Sequence, residues 1–310
     1  MRYGLILFLA ILLSACGGRA SKDVTVVIPH GVSLSKAATI LEAQGAVDSS
    51  SAFLRYAKFI GSSDPIKPGG DGGEFGGDGG GGVAPLPARK NQQRFVMIPE
   101  GMPSISVQEK LMAAPFLEGD VAVPAEGSIL PDSYAYTRGE KRSAVLKRMQ
   151  AAMTKTLDDL WKNRKASSVA SSKEEAVILA SIVEKETGKA SERRMVAGVY
   201  SNRVRIGMKL QADPTVIYPV TKGKPLGRRI LRSELDADNG YNTYARTGLP
   251  AGPIANPGKA SIAAVLDPLP TRNLFFVADG TGGHVFAETG AQHNANVEKW
   301  YSIRRQRGEM

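Results

Sequence analysis

Apolar positions between residues 143 and 183 define two kinds of helix. From Ser143 to Arg164, Val145, Met149, Met153, Leu157, Leu160 and Trp161 recur at three- and four-residue steps, which predicts one long amphipathic helix with methionines as core filler. From Ala176 to Val183 the polar face almost vanishes, and a helix that is apolar all round is buried. Ser172 and Glu175 form an S-x-x-E capping box at its start, and Gly188 stands where a glycine commonly ends a helix. Two acids, Glu184 and Glu186, close this greasy helix, and a further helix is expected over Glu192–Arg205.

The remaining elements are shorter. Val24–Pro29 reads as a β-branched strand, followed by a helix through Ala37, Ile40 and Leu41 capped by Ser33 or Ser35, and a second helix over Ser51–Phe59. Arg94–Pro99 predicts a strand, Val107–Met112 a short helix, and Glu126–Tyr136 a loop leading into a strand. A Pro-containing loop carries Gln211, Asp213 and Thr215 around Pro214, where Asp-Pro-Thr is also good turn chemistry. Ser233–Leu235 starts a short helix, Tyr241–Pro257 is a turn-rich loop, and Lys259–Leu266 is helical. Leu274–Ala278 and His284–Ala287 flank Asp279–Gly283 as a hairpin, and Gln292–Arg305 is the last helix. The class is α+β: a small N-terminal subdomain at 24–115 with a strand–helix–helix start, and a larger mixed α/β domain at 120–305.

Composition interrupts this order in two places. Ten of the fourteen residues from Gly69 to Gly82 are glycine, so the low-complexity stretch 68–87 cannot bury enough apolar area to offset its ordering entropy and is expected to be a disordered insertion. The N-terminus places Arg2 before an unbroken apolar run, Leu5–Leu13, and then Leu13-Ser14-Ala15-Cys16. That run is too short for an ordinary membrane span of about 20 residues and fits an export signal over residues 1–16. The tetrapeptide resembles a bacterial lipobox, with Cys16 as the lipidation site; as the only cysteine, it has no internal disulfide partner.

The formal charge of +10 and pI of about 9.6 favour anionic partners: nucleic acid, lipid head groups or acidic wall polymers. An exported chain disfavours the first. The spacing of His30, His284 and His293 gives no metal pattern, and both His284 and His293 read as structural.

A carboxyl group held against apolar walls is a candidate general acid, because desolvation keeps it protonated towards neutral pH. Helix geometry leaves the choice open. Glu184 lies beside Val177 and Ala180, and Glu186 beside Leu179 and Ile182. Tyr241, Asn242, Thr243 and Tyr244, with Asn256 further on, have the mix of aromatic faces and amides that sugar sites use; the competing reading is a packed loop.

The words ASIVEKETGKASERRMVAGVYSNRVRIGMKLQADPTVIY, YNTYARTGLPAGPIANPG and FFVADGTGGHVFAET resemble the YceG-like endolytic murein transglycosylases, over about residues 94–305. The resemblance implies cleavage of the β-1,4 bond between N-acetylmuramic acid and N-acetylglucosamine inside glycan strands, leaving a 1,6-anhydro end, with no metal or organic cofactor. It carries the catalytic role to the first acid of the VEKET word, Glu184. From their own residue types, Gln211, Asp213 and Thr215 are expected to line the sugar cleft with Tyr241, Asn242, Thr243, Tyr244 and Asn256. The resemblance further implies termination of glycan-strand growth, wall-synthase partners and a membrane-anchored periplasmic location. The strand–helix–helix pattern of the N-terminal subdomain resembles a LysM-like wall-binding module, with a generic lid domain as the competing reading. The lipobox departs from the single transmembrane helix usual in the family. A non-catalytic peptidoglycan-binding lipoprotein and a water-using hydrolase are the alternatives.

Overall fold

A computed structural model of the chain describes residues 33–59 and 94–309. The expected strand at 24–29, His30, the export signal with Cys16 and the Gly-rich stretch 68–87 lie outside the described residues. No helix among the described residues is long and apolar enough to cross a membrane. The chain divides into two compact units at Arg94 and Phe95.

In the first unit, α1 (Leu34–Ala43) and α2 (Ser50–Phe59) pack on each other. Ser33 caps α1 by accepting a hydrogen bond from the Lys36 amide, and Ala38, Leu41 and Phe53 form the small core.

The second unit has two adjoining cores. Strand β1 (Arg94–Met97) alternates, burying Val96 and exposing Phe95 and Met97. It pairs with β2 (Ser133–Tyr136), and α3 (Ser104–Ala113) lies between them in sequence. Ile98, Val107, Leu111, Ile129 and Tyr136 form the first core with Val145 and Met149 of α4 (Arg142–Lys162). One turn on, Met153 of the same helix joins the second core. The single stripe of α4 is therefore shared between two clusters. Phe95–Leu117, grouped by sequence with the N-terminal subdomain, packs here because its apolar residues face Val145 and Met149.

The second core surrounds α5 (Lys173–Glu186), which buries Ala176, Val177, Leu179, Ala180, Ile182 and Val183. Around it lie α6 (Arg193–Arg205), α7 (Asp213–Thr221) and α9 (Lys259–Leu266); α8 (Arg232–Asp236) is a short helix between the last two. Ser172 caps α5 by accepting from the Glu175 amide, but the Glu175 carboxylate turns to Ser171 rather than back to Ser172. Termination also differs from expectation. Thr187 adopts an extended conformation (φ −140°, ψ 126°) and its hydroxyl accepts from the Lys189 amide, so Gly188 is not needed in a left-handed turn. A 3₁₀ turn (Ala190–Glu192) leads into α6.

Strands β3 (Phe275–Ala278) and β4 (His284–Ala287) pair antiparallel, with Phe276 opposite Phe286. Asp279 accepts from the amides of Thr281 and Gly283 at the tip, where Gly280 and Gly282 supply the positive φ angles of the turn. Helix α10 (Gly290–Gln306) follows, opened by a capping box of Thr289 and Gln292.

Candidate active site

Residues 184 and 186 lie about 200° apart around α5, so their side chains meet different surroundings. The Glu184 side chain is only 6% exposed. Its Oε2 accepts from the Gly258 amide at 2.8 Å, at the start of α9. Its Oε1 lies 3.7 Å from Nη2 of Arg193, the first residue of α6, and the same nitrogen lies 3.7 Å from Oε2 of Glu100.

Glu186 faces α6 and the α7 region. Part of the residue remains accessible to solvent. Burial nevertheless pushes its carboxyl up to about 7; the Tyr200 hydroxyl donates to it and opposes the rise, Asp213 adds to it, and Arg203 opposes it. Tyr200 and Arg203 stand three residues apart on one face of α6. Tyr200 is fully buried and packs edge-on to Phe276, with ring centres 5.7 Å apart. Its hydroxyl is raised well above the ordinary tyrosine range, by burial first and by Glu186 next, and stays a donor. Arg203 donates to the carbonyls of Leu210 (2.6 Å) and Leu274 (2.7 Å).

Asp213 reaches this cluster from the first turn of α7. The sequence reading made residues 211–215 a loop, but Pro214 occupies the first turn, where its missing N–H costs nothing, and the helix runs to Thr221. The Tyr244 hydroxyl donates to Asp213, and burial together with that contact raises it above the ordinary tyrosine range and keeps it protonated. Just before, Gln211 is exposed and holds a left-handed backbone (φ 51°), a strained conformation for a residue with a side chain.

The other expected cleft residues are interior. Thr215 and Thr243 share a 2.8 Å hydroxyl contact, and Thr243 also accepts from the Ala212 amide. Asn242 donates to the carbonyls of Glu234, Leu235 and Ala237. Asn256 is fully buried: its Oδ1 accepts from Ile129, and its amide nitrogen donates to Met102, Ser104 and Glu126. These four spend their polar atoms on the protein, where a buried polar group must find a partner, and hold the loops in place. Gln211, Asp213, Tyr241 and Tyr244 remain partly or fully exposed. A depression of about 280 Å³ on the loop beside them is lined by Tyr241, Arg246 and Leu249, among others.

Sequence reasoning did not single out Glu100, Tyr200 or Arg203. An acid next to a turn glycine and cations on a helix face are too common to stand out. His284 pairs with Glu192 at 2.8 Å, and His293 stacks on Phe275.

The sequence model of the YceG-like family matches residues 26–299, and the chain belongs to that family. A protein of Bacillus subtilis named endolytic murein transglycosylase is 34% identical over 185 residues, covering 59% of this chain and 50% of its own length. A Streptococcus pneumoniae protein of the same name is 31% identical over 193 residues, covering 60% of this chain and 34% of its own. The matches thus span about half or less of the relatives' length. The crystal structure of a YceG-like protein from Listeria monocytogenes superposes with a TM-score of 0.54 at 26% identity, covering 89% of this chain and 99% of that one.

Proposed function

We propose that this chain cleaves peptidoglycan glycan strands internally as a lytic transglycosylase, with Glu186 as the proton donor. One observation carries the assignment: burial holds the Glu186 carboxyl near neutrality, beside the Tyr200 hydroxyl and Asp213. A general acid works best when its pKa lies near the working pH. The names of the relatives support the substrate and the reaction.

In the proposed step, Glu186 gives its proton to the glycosidic oxygen as the bond from C1 of N-acetylmuramic acid to that oxygen breaks. The sugar's own 6-hydroxyl then bonds to C1 and returns its proton to the Glu186 carboxylate. The products are a free 4-hydroxyl and a 1,6-anhydro ring, no water is consumed, and the glutamate ends as it began. Tyr200 orients the carboxyl, and Asp213 and Tyr244 stand beside it.

Glu184 is the second reading, carried by the family word and by its nearly complete burial. Digestion of purified glycan strands by the unmutated chain, Glu184→Gln and Glu186→Gln separates the two. We expect anhydro ends, lighter by one water than hydrolysis products, from the unmutated chain, and a loss of about 10²–10⁴ in rate for Glu186→Gln. Loss confined to Glu184→Gln moves the role to that residue. Reducing ends identify a hydrolase, and binding without cleavage identifies a peptidoglycan-binding lipoprotein. On the same reading, Cys16 or the apolar run tethers the chain to a membrane of the cell envelope. A LysM-like first unit holds glycan, and cutting nascent strands beside wall synthases ends their growth.

A further inference from the structure

We propose that Glu100 and Arg193 are positioning residues, forming with Glu184 and Gly258 a charge latch that fixes the last turn of α5 and hence the Glu186 carboxyl. The inference rests on the role proposed for Glu186. Four segments that are distant in sequence meet at the latch. Arg193 begins α6, Glu100 follows β1, Glu184 is in the last turn of α5, and Gly258 caps α9. One guanidinium nitrogen stands 3.7 Å from both carboxylates, and the Gly258 amide holds the free oxygen of Glu184 at 2.8 Å. Next to Glu100, the Gly101 amide donates to the Asn256 carbonyl at 2.9 Å, tying that turn to the loop before Gly258.

Gly258 supplies the most direct sign of fit. Its backbone (φ −72°, ψ 163°) is one that any residue adopts. A Cβ here would meet the Glu100 carboxylate, the end of a half-exposed side chain that would have to swing away from its present place.

Stability alone does not account for the cluster. The side chains of Glu184 and Arg193 are 6% and 12% exposed, and ion pairs this deep are often no better for stability than apolar residues of equal size. Their placement matters more. Glu186 is the last helical residue before extended Thr187, and a helix end without an anchor frays. The latch grips one side of that final turn, while Glu186 faces Tyr200 and Asp213 on the other. A misplacement of about 1 Å at a reacting group can cost on the order of 10²-fold in rate.

The test compares Gly258→Ala, Glu100→Ala and the double variant on soluble, uncrosslinked glycan strands, with Glu186→Gln alongside. Each single change is expected to lower kcat by roughly 10–10²-fold, with KM within about twofold and an unchanged melting temperature. The double variant should lose no more than Glu100→Ala, because the new methyl then has room. Wild-type kcat in both single variants, or losses that multiply in the double, overturns the latch. Wild-type turnover in Glu186→Gln instead overturns the assignment of the donor. The latch is then judged by hydrogen exchange of the Gly258 amide in the full chain. Faster exchange in Arg193→Met than in the unmutated protein supports it, and equal exchange rejects it.

Discussion

Two residues apart on one helix, Glu184 and Glu186 are offered opposite partners: one a guanidinium and an amide, the other a phenol, an aspartate and apolar walls. The neighbours of Glu186 act on it with opposite signs, which makes the assignment testable one atom at a time. The Tyr200 hydroxyl stabilises the charged form, so Tyr200→Phe should raise the Glu186 pKa and extend activity to higher pH. The Asp213 charge disfavours the charged form, so Asp213→Asn should lower that pKa and pull the alkaline limb to lower pH. Profiles of kcat against pH for the two variants check this. Displacement of both limbs in the same direction, or of neither, counts against Glu186 as the donor.

At the scale of elements, helix periodicity was the legible part of this chain. The all-apolar run of α5 announced a buried helix, and the hairpin β3–β4 was readable from two short apolar runs around Asp-Gly-Thr-Gly-Gly. What stayed hidden depended on partners distant in sequence. Pro214 looks like a loop residue until its place in the first turn of α7 is known. Asn256 looks like a sugar ligand because a buried structural amide and an exposed binding amide are the same side chain. Periodicity could not rank Glu184 against Glu186, since the difference lies on α6 and α7 rather than on α5. The role of Asn256 as a loop anchor has a measurable consequence. Asn256→Ala leaves the buried Ile129 amide without a partner, an orphaned group that costs about 1–3 kcal/mol, and removes the bonds to Ser104 and Glu126 as well. We expect urea unfolding to show a loss of about 2–4 kcal/mol, out of a total stability of about 5–15 kcal/mol. A change within about 0.5 kcal/mol of zero would reject the anchoring role.

For the second unit as a whole, the same buried acid should appear in the dependence of stability on pH. Glu234, held at about 2 by Arg228 and the Leu231 amide, and the exposed Asp159 and Asp238, lowered by Lys155 and Arg246, favour the folded state above their unfolded pKa values. That contribution is lost as pH falls. Glu186 works in the other direction. Below its ordinary value of 4.5 it is neutral in both states; between 4.5 and about 7 the unfolded chain ionises first, so stability falls as pH rises; above about 7 the penalty levels off. At about 1.4 kcal/mol per unit, the full penalty is about 3 kcal/mol. Glu126, also raised by burial, adds to the same trend. The stability maximum should therefore lie on the acid side of neutrality. Glu186→Gln should leave stability near pH 4.5 almost unchanged and raise it at pH 8 by up to about 3 kcal/mol. Both tryptophans, Trp161 and Trp300, lie in the second unit, so their fluorescence in urea reports on its unfolding. A variant that is stabler at pH 8 and also inactive means that the protein gives up folding free energy to hold this proton. Equal stability at pH 8 means that the carboxyl is solvated, and a solvated carboxyl is not a donor near neutral pH.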